Sequence, residues 1–301
     1  MTEPARKPGR LGVGIIGAGK VGAVLGSALR AAGHAVVGVS AVSDASLERA
    51  ENLLPGVPVL DVPDVVERSE LVLLAVPDDA LEQLVSGLAA TRTWQAGQIV
   101  AHTSGRFGTG VLAPANAMGV IGLALHPAMT FTGMSLDLSR LPDCTFAVTA
   151  PAAVLPIAQA LVVEMGAEPI VLGEADRVIY HMALAHASNH LVTITAQSAE
   201  LLKSIGVEDP SRLLGPLLRA SLENALASGE TALTGPVVRG DLGTVRAHTD
   251  ALASVQSEDI RHAYRELAKA TAARAAGRGT LKPDQARAIL DILSGGNAGS
   301  S

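Results

Sequence analysis

The apolar positions of this chain follow two different regimes, which change over near residue 173. Across residues 11–172, short apolar runs alternate with amphipathic stretches. The runs cover residues 13–16, 36–39, 57–60, 71–76, 98–102, 120–125, 145–148 and 169–172. They are too short for helices and nearly continuous in apolar residues, which predicts buried strands. Residues 21–32, 45–54, 79–88 and 154–165 carry a helical repeat instead. Alternation of this kind predicts an α/β domain built on a mainly parallel, doubly wound sheet with both faces covered.

After Gly173 the strand pattern stops. Residues 174–204 contain neither Gly nor Pro and predict one long helix. Glu174 and Asp176 sit in its first turn, Lys203 in its last, and Gly206 lies just beyond. A helix dipole favours that arrangement of charges. Helical patterns follow at 210–227, 242–253, 260–275 and 282–293, so the second part reads as all-α. The expected organisation is a disordered lead (1–10), a dinucleotide-binding domain (11–173), a helical domain (174–293) and a disordered tail (294–301).

Composition narrows the function classes. A length of 301 residues suits two domains with a core of their own. Aromatic residues make up only 2%, so the core must be Ala, Val, Leu and Ile, and base-stacking platforms are not expected. The net charge is -6 and no long Lys/Arg run occurs, which argues against nucleic-acid or anionic-lipid partners. The lone Cys144 excludes an intrachain disulfide and fits a reducing compartment. Residues 11–22 are interrupted by five glycines and read as a strand and turn, not a signal peptide. Pro151, Pro156 and Gln159 break the most apolar stretch, so no membrane span is expected. The expectation is a soluble cytoplasmic protein whose partner is a small molecule.

Gly17-Ala18-Gly19-Lys20-Val21-Gly22 is a G-x-G-x-x-G between a predicted strand and a predicted helix. That context turns a weak motif into a dinucleotide-binding fingerprint. Gly17 permits the tight turn, Gly19 admits the pyrophosphate, and Gly22 allows close helix–strand packing. An NAD site would carry Asp or Glu about 20 residues on, at the end of the second strand. Here the segment reads Gly38-Val39-Ser40-Ala41-Val42-Ser43, with no carboxylate before Asp44. Ser40 and Ser43 suit a 2′-phosphate, so NADP is expected over NAD. The usual Arg is missing, and Lys20 or Arg49 could substitute for it. Val76 and Pro77 close another strand, where they either touch the cofactor or form an ordinary turn.

Four further segments carry a resemblance. They are His102-Thr103-Ser104-Gly105, the stretch from Leu125-His126-Pro127 to Phe131, Tyr180-His181 through Ser188-Asn189, and Thr234-Gly235-Pro236-Val237-Val238-Arg239-Gly240-Asp241 running on to His248. Together with the two-part layout, they resemble the 6-phosphogluconate dehydrogenase-like superfamily, which includes ketopantoate and pyrroline-5-carboxylate reductases. Within it they resemble a narrower bacterial family that joins a Rossmann-like domain to a C-terminal domain of unknown function. The resemblance implies an NADP-linked reductase of a small carboxylated carbonyl compound, such as ketopantoate or a related 2-keto acid. It also implies a homodimer through the helical domain. A non-catalytic NADP sensor and an imine or pyrroline-type reductase stay open as alternatives.

Sister families place a Lys on the long helix and an Asn four residues later. Here His181 stands near the Lys position and Ala185 at the Asn position, with Asn189 about 80° round the helix and Ser188 better aligned. His181 could supply the proton, because histidine titrates near neutrality, or it could be an ordinary helix histidine. Ser104 and His102 end a strand where doubly wound folds place ligands, though Ser104 could equally cap its loop. His126 either faces the nicotinamide or caps a loop. Arg239 could grip a carboxylate or pair with Asp241. His186 and His190 have metal-ligand spacing without an accompanying carboxylate, and no metal is expected.

Overall fold

The computed structural model describes residues 10–295. Most of both expected disordered ends, residues 1–9 and 296–301, lies outside that range. The chain runs β1 (Gly12–Ile16), α1 (Lys20–Ala31), β2 (Ala35–Ser40), α2 (Asp44–Leu53), α3 (Val62–Glu67), β3 (Leu71–Leu74) and α4 (Asp78–Ala90). It continues with β4 (Ile99–His102), α5 (Ala113–Asn116), β5 (Ile121–Pro127), α6 (Leu136–Arg140), β6 (Thr145–Thr149), α7 (Leu155–Glu164) and β7 (Glu168–Val171). The rest is helical: α8 (Arg177–Ser204), α9 (Pro210–Ser228), α10 (Leu242–Leu252), α11 (Glu258–Gly277) and α12 (Pro283–Leu293). The chain divides into two compact units, Met1–Ala187 and Ser188–Ser301, and the divide falls inside α8.

The first unit is the expected Rossmann sheet. Seven strands lie in the order β2-β1-β3-β4-β5-β6-β7, all parallel to their neighbours except the antiparallel β5–β6 pair. The chain turns back across β1 between β2 and β3, which opens a crevice beyond the carboxyl ends of β1 and β3. Strand β3 is Leu-Val-Leu-Leu with every residue buried, as a strand covered on both faces requires. One side of the sheet packs Ile15, Leu25, Leu73 and Phe146, and the other packs Leu74, Leu81, Trp94 and Val100.

Two elements differ from the sequence expectation. The run at 57–60 forms no strand, only a single bridge from Val59 to Val39. Pro58 has no N–H to give a ladder, and Pro63 starts α3 two residues after Asp61. The long helix begins as α-helix at Arg177, preceded by a 3₁₀ turn at Glu174–Asp176. That turn leaves the Glu174 carboxylate to accept from Thr109 N at 2.8 Å and Gly110 N at 3.0 Å.

Arg177 is only 1% exposed. Its guanidinium donates to Thr149 Oγ1 (2.9 Å), Ser104 O (3.1 Å), Ala124 O and Ala147 O (3.0 Å each). The first turn of α8 is thereby fastened to β5, β6 and the loop after β4. The second unit has its own small core, in which Val245, Ala272, Leu281 and Ile289 are buried. Among the described residues no helix is long and apolar enough to cross a membrane.

Arg177→Met should lower the urea midpoint, with a loss of about 2–4 kcal/mol, because several buried acceptors lose their donor. Arg177→Lys should recover only part of that loss, since an ammonium cannot reproduce the planar fork. A midpoint equal to wild type in both variants would show that Arg177 does not anchor the helix.

Candidate active site

The glycine turn after β1 is set by close approach. Gly17 has φ +97°, and a Cβ there would lie 2.6 Å from Ala75 O. A Cβ on Gly22 would meet Gly17 O at 2.1 Å and Ala75 Cβ at 2.9 Å. Both glycines let α1 pack down onto the end of β3. Gly19 is different, because a Cβ there would have nothing within 4 Å. Gly17 N and Ala18 N both donate to Ser40 O at 3.1 Å, which ties the turn to the end of β2. Helix α1 has no side-chain cap and no acidic residue in its first turn. Gly19, Lys20 and Val21 at its start line a cleft, and a helix N-terminus without such a cap favours an anion.

The two serines proposed for the 2′-phosphate are placed differently. Ser40 is buried and its carbonyl already serves the glycine turn. Ser43 is exposed, but its hydroxyl caps α2, accepting from Ser46 N at 3.2 Å and donating to Ser46 Oγ at 3.1 Å. Two cations also stand beside the turn. Arg49 Nη1 donates to Ala18 O at 3.3 Å. A Cβ on Gly133 would lie 2.9 Å from Arg49 Cδ and 3.0 Å from Lys20 Cγ, so both stems flank that glycine. The Gly133 loop is held by buried Asp137, which accepts from Thr132 N and Gly133 N at 2.8 Å and from Thr132 Oγ1 at 2.9 Å.

A cleft of about 520 Å³ opens at this edge of the sheet. Gly19, Lys20 and Val21 line it on the α1 side, and Val76, Pro77 and Asp78 on the β3 side. Thr103, Ser104, Gly105, His126 and His181 complete the wall. The volume is that of a ligand pocket. Four proposed residues, His102, Ser104, His126 and His181, thus belong to one region of the first unit. Ser188, Asn189 and Arg239 belong to the second unit, where all three are exposed. Asp241 caps α10 through Thr244 N at 3.0 Å and Thr244 Oγ1 at 2.6 Å.

His102 is fully buried and both its ring nitrogens are engaged. Nδ1 accepts from Ser104 N at 3.2 Å, so the proton sits on Nε2, which donates to Gly108 O at 2.8 Å. Burial, assisted by the Arg177 charge, lowers its pKa to about 4. This imidazole shapes the loop after β4 and has no free ring nitrogen for a substrate. Ser104 is also buried, and its Oγ accepts from Phe107 N at 3.3 Å.

His126 and His181 are half-buried at the cleft. Their rings meet edge to face with centroids 6.0 Å apart. A Cβ on Gly105 would fall 2.5 Å from His181 Cδ2 and 2.9 Å from His126 Nε2, so only glycine fits between them and the loop. His126 Nδ1 lies 2.9 Å from Tyr180 Oη. Burial, then the charges of His181 and Arg177, lower the His126 pKa to about 4, and burial raises that of Tyr180. Near pH 7 this is a neutral imidazole beside a neutral phenol. With the phenol donating to Nδ1, the His126 Nε2–H faces Gly105 and the cleft.

Gly105 and Tyr180 stood in the resembling segments with no role of their own, and Arg177 did not figure at all. One signal was present: an Arg in the first turn of a helix opposes the dipole and marks a charge held for another reason. Tyr180 lies three residues and His181 four residues after Arg177, so one anchored turn sets both.

Nitrogen-15 NMR of the histidine rings should show the Nε2–H tautomer for His102 and His126, and Tyr180→Phe should release that preference at His126 alone. A wild-type Nδ1–H signal at His126 would contradict the phenol-donor arrangement. The two depressed pKa values also fix a pH dependence. Unfolded histidine binds protons below about 6.5, whereas the folded groups resist until about 4. Stability is therefore full above pH ~6.5 and is lost as pH falls towards 4. His102→Gln should be less stable at pH 7 yet show a flatter acid limb in urea titrations.

Residues 1–127 match the family model of a Rossmann-like domain, and residues 144–271 match that of a domain of unknown function, DUF2520. A search of curated proteins finds no match. Among solved structures, a candidate NADP oxidoreductase from Bacteroides fragilis is 20% identical with a TM-score of 0.75, covering 87% of this chain and 98% of that one. An imine reductase from a Pseudomonas species is 16% identical with a TM-score of 0.61, covering 95% and 99%. An imine reductase from Myxococcus stipitatus, solved in complex with NADP+, is 17% identical with a TM-score of 0.57, covering 94% and 93%. At such identities the shared property is the fold. The chain belongs to the proteins that join a Rossmann-like domain to a DUF2520 domain.

Proposed function

We propose that this protein is an NADP-dependent oxidoreductase that reduces a small carboxylated carbonyl compound, of which ketopantoate and related 2-keto acids are the first candidates. The observation that carries the reading is a single cleft. It sets the glycine turn at a helix N-terminus against His126 near the end of β5 and His181 on α8, with the Tyr180 phenol hydrogen-bonded to His126 behind them. The turn at Gly17, Ala18, Gly19 and Gly22 would hold the pyrophosphate, and Val76 and Pro77 would border the nicotinamide side. A nicotinamide dinucleotide bound there supplies the hydride. The relative from Myxococcus stipitatus was solved with NADP+, which supports the choice of cofactor.

The chain's own groups divide the remaining tasks. His126 Nε2–H is a neutral donor for the oxygen that gains charge. His181 supplies the proton. Ser104, buried beneath them, shapes the wall and is an accessory. The exposed Arg239 is the proposed carboxylate anchor and Asn189 and Ser188 the proposed auxiliary contacts; their part is open to test by substitution. An imine substrate is the second reading, favoured by the neutral donor set, which suits polarising a C=N bond. We also propose a homodimer. Leu213, Leu217, Leu222 and Leu226 on α9 are exposed at 53%, 57%, 47% and 79%, a load of apolar surface that a second copy would cover.

The test is titration with NADPH and NADH, followed by oxidation assays across 2-keto acids, ketopantoate and cyclic imines. NADPH should bind more tightly, and His181→Ala should lower kcat by about 10²–10⁴-fold. Tight NADPH binding with no oxidation across the panel would favour a sensor and overturn the enzyme reading. Arg49→Ala should weaken NADPH about tenfold while leaving NADH unchanged, since one charge-assisted contact to phosphate is lost. Equal weakening of both cofactors would show that Arg49 does not read the 2′-phosphate.

A further inference from the structure

The chain has only two tyrosines, and each is hydrogen-bonded to a histidine at the wall of a cleft. The first pair is His126–Tyr180. The second, His248–Tyr264, lies entirely within the second unit. Its Nδ1 to Oη distance is 2.7 Å, against 2.9 Å in the first. The rings meet edge to face in both, with centroids 5.9 Å and 5.5 Å apart. The cleft beside the second pair measures about 330 Å³, at the small end of ligand pockets.

Its walls are mixed. Pro236, Val237 and Leu267 supply apolar surface, and Leu267 is 45% exposed. Thr234 and His248 supply polar atoms on the same cleft. The segment that follows Thr234 is shaped by its own backbone. Gly235 and Gly240 take φ +105° and +70°. Arg239 N donates to Gly235 O, Gly240 N to Val237 O and Asp241 N to Pro236 O. Asp241 then caps α10, whose next turns present His248. Burial raises the Tyr264 pKa, which keeps the phenol protonated as a donor to His248 Nδ1. The imidazole then offers Nε2–H outward.

We propose that this cleft is a second small-molecule site, which takes a short branched aliphatic ligand ending in a hydrogen-bond-accepting oxygen. The apolar walls would take the aliphatic body. His248 Nε2–H and the Thr234 hydroxyl would donate to the terminal oxygen. The inference is independent of the reductase reading, because it uses no residue of the first cleft and no turnover.

The probes are isobutyrate and isobutyramide, which share this shape and cannot accept a hydride under the assay conditions. Each is titrated into the full chain while the histidine ring resonances are followed by NMR. The expected result is a saturable shift at His248 with at least one probe. The affinity, read at His248 in Thr234→Val and by calorimetry in His248→Gln, which lacks that ring, should fall at least about tenfold, as loss of a polar anchor requires. Tyr264→Phe, the mildest change, should weaken it several-fold while circular dichroism stays unchanged. No saturable shift with either probe would overturn the site. So would shifts confined to His126 and His181, or an affinity indifferent to Thr234→Val and His248→Gln.

Discussion

The first unit depends on a buried positive charge whose hydrogen bonds all go to neutral oxygens. Removing a guanidinium from water is costly unless its donors are met. Arg177 meets that condition with neutral oxygens alone: three main-chain carbonyls and the Thr149 hydroxyl. Those acceptors come from β5, β6 and the loop after β4, places that no single strand pairing joins. Burial lowers the Arg177 pKa, but arginine starts so high that the charge remains. The field of that charge then acts on its neighbours. It disfavours protonation of His102 and His126, which helps keep both imidazoles neutral.

The same anchor places the cleft residues. A helix fixed at its first turn has little freedom one turn later, so Tyr180 and His181 inherit their positions from Arg177. Glu174 strengthens the joint from the other side by capping the turn at Thr109 and Gly110. A Cβ on Gly108 would lie 2.1 Å from the Glu174 carboxylate, so any larger residue there would push Glu174 off its two N–H donors. A Cβ on Gly105 would press the two imidazoles apart in the same way. The loop after β4 is thus clamped between a carboxylate, a guanidinium and two rings. A rigid wall of this kind suits a site whose donors have to stand ready in place.

The sequence revealed the parts of this arrangement that follow a local period. The glycine turn, the strand alternation and the long helix all have short-range signatures, and each is found near its expected place. The strand expected at 57–60 failed because apolar character outweighed Pro58 in the reading, while in the fold the missing N–H decided the outcome. The roles of Ser43 and His102 were hidden for a different reason. A hydroxyl before a helix can bind phosphate or cap the helix, and only the Ser46 contacts distinguish these. A histidine at a strand end can face a ligand or face the core, and only its burial distinguishes those. The roles of Arg177 and Tyr180 lay beyond reach because their partners are between 28 and 73 residues away in the chain.

The scarcity of aromatic residues gives the two tyrosines their meaning. The core is built from aliphatic side chains, with Phe146 and Trp94 as its buried aromatics beside a marginal Phe131. Tyr264 packs against the second unit's small core, whereas Tyr180 belongs to neither apolar cluster of the first unit. A phenol differs from phenylalanine by one hydroxyl, and each hydroxyl here is directed at a histidine Nδ1. A phenol that stays protonated selects the imidazole tautomer without adding charge, which a carboxylate in its place would do. In the first cleft burial lowers the His126 pKa to about 4, so that histidine stays a neutral donor near pH 7. In the proposed site that neutrality would suit polarising a carbonyl or imine. The anionic groups of a cofactor would meet the helix N-terminus, Lys20 and Arg49, while the reacting bond would meet the neutral His126 Nε2–H.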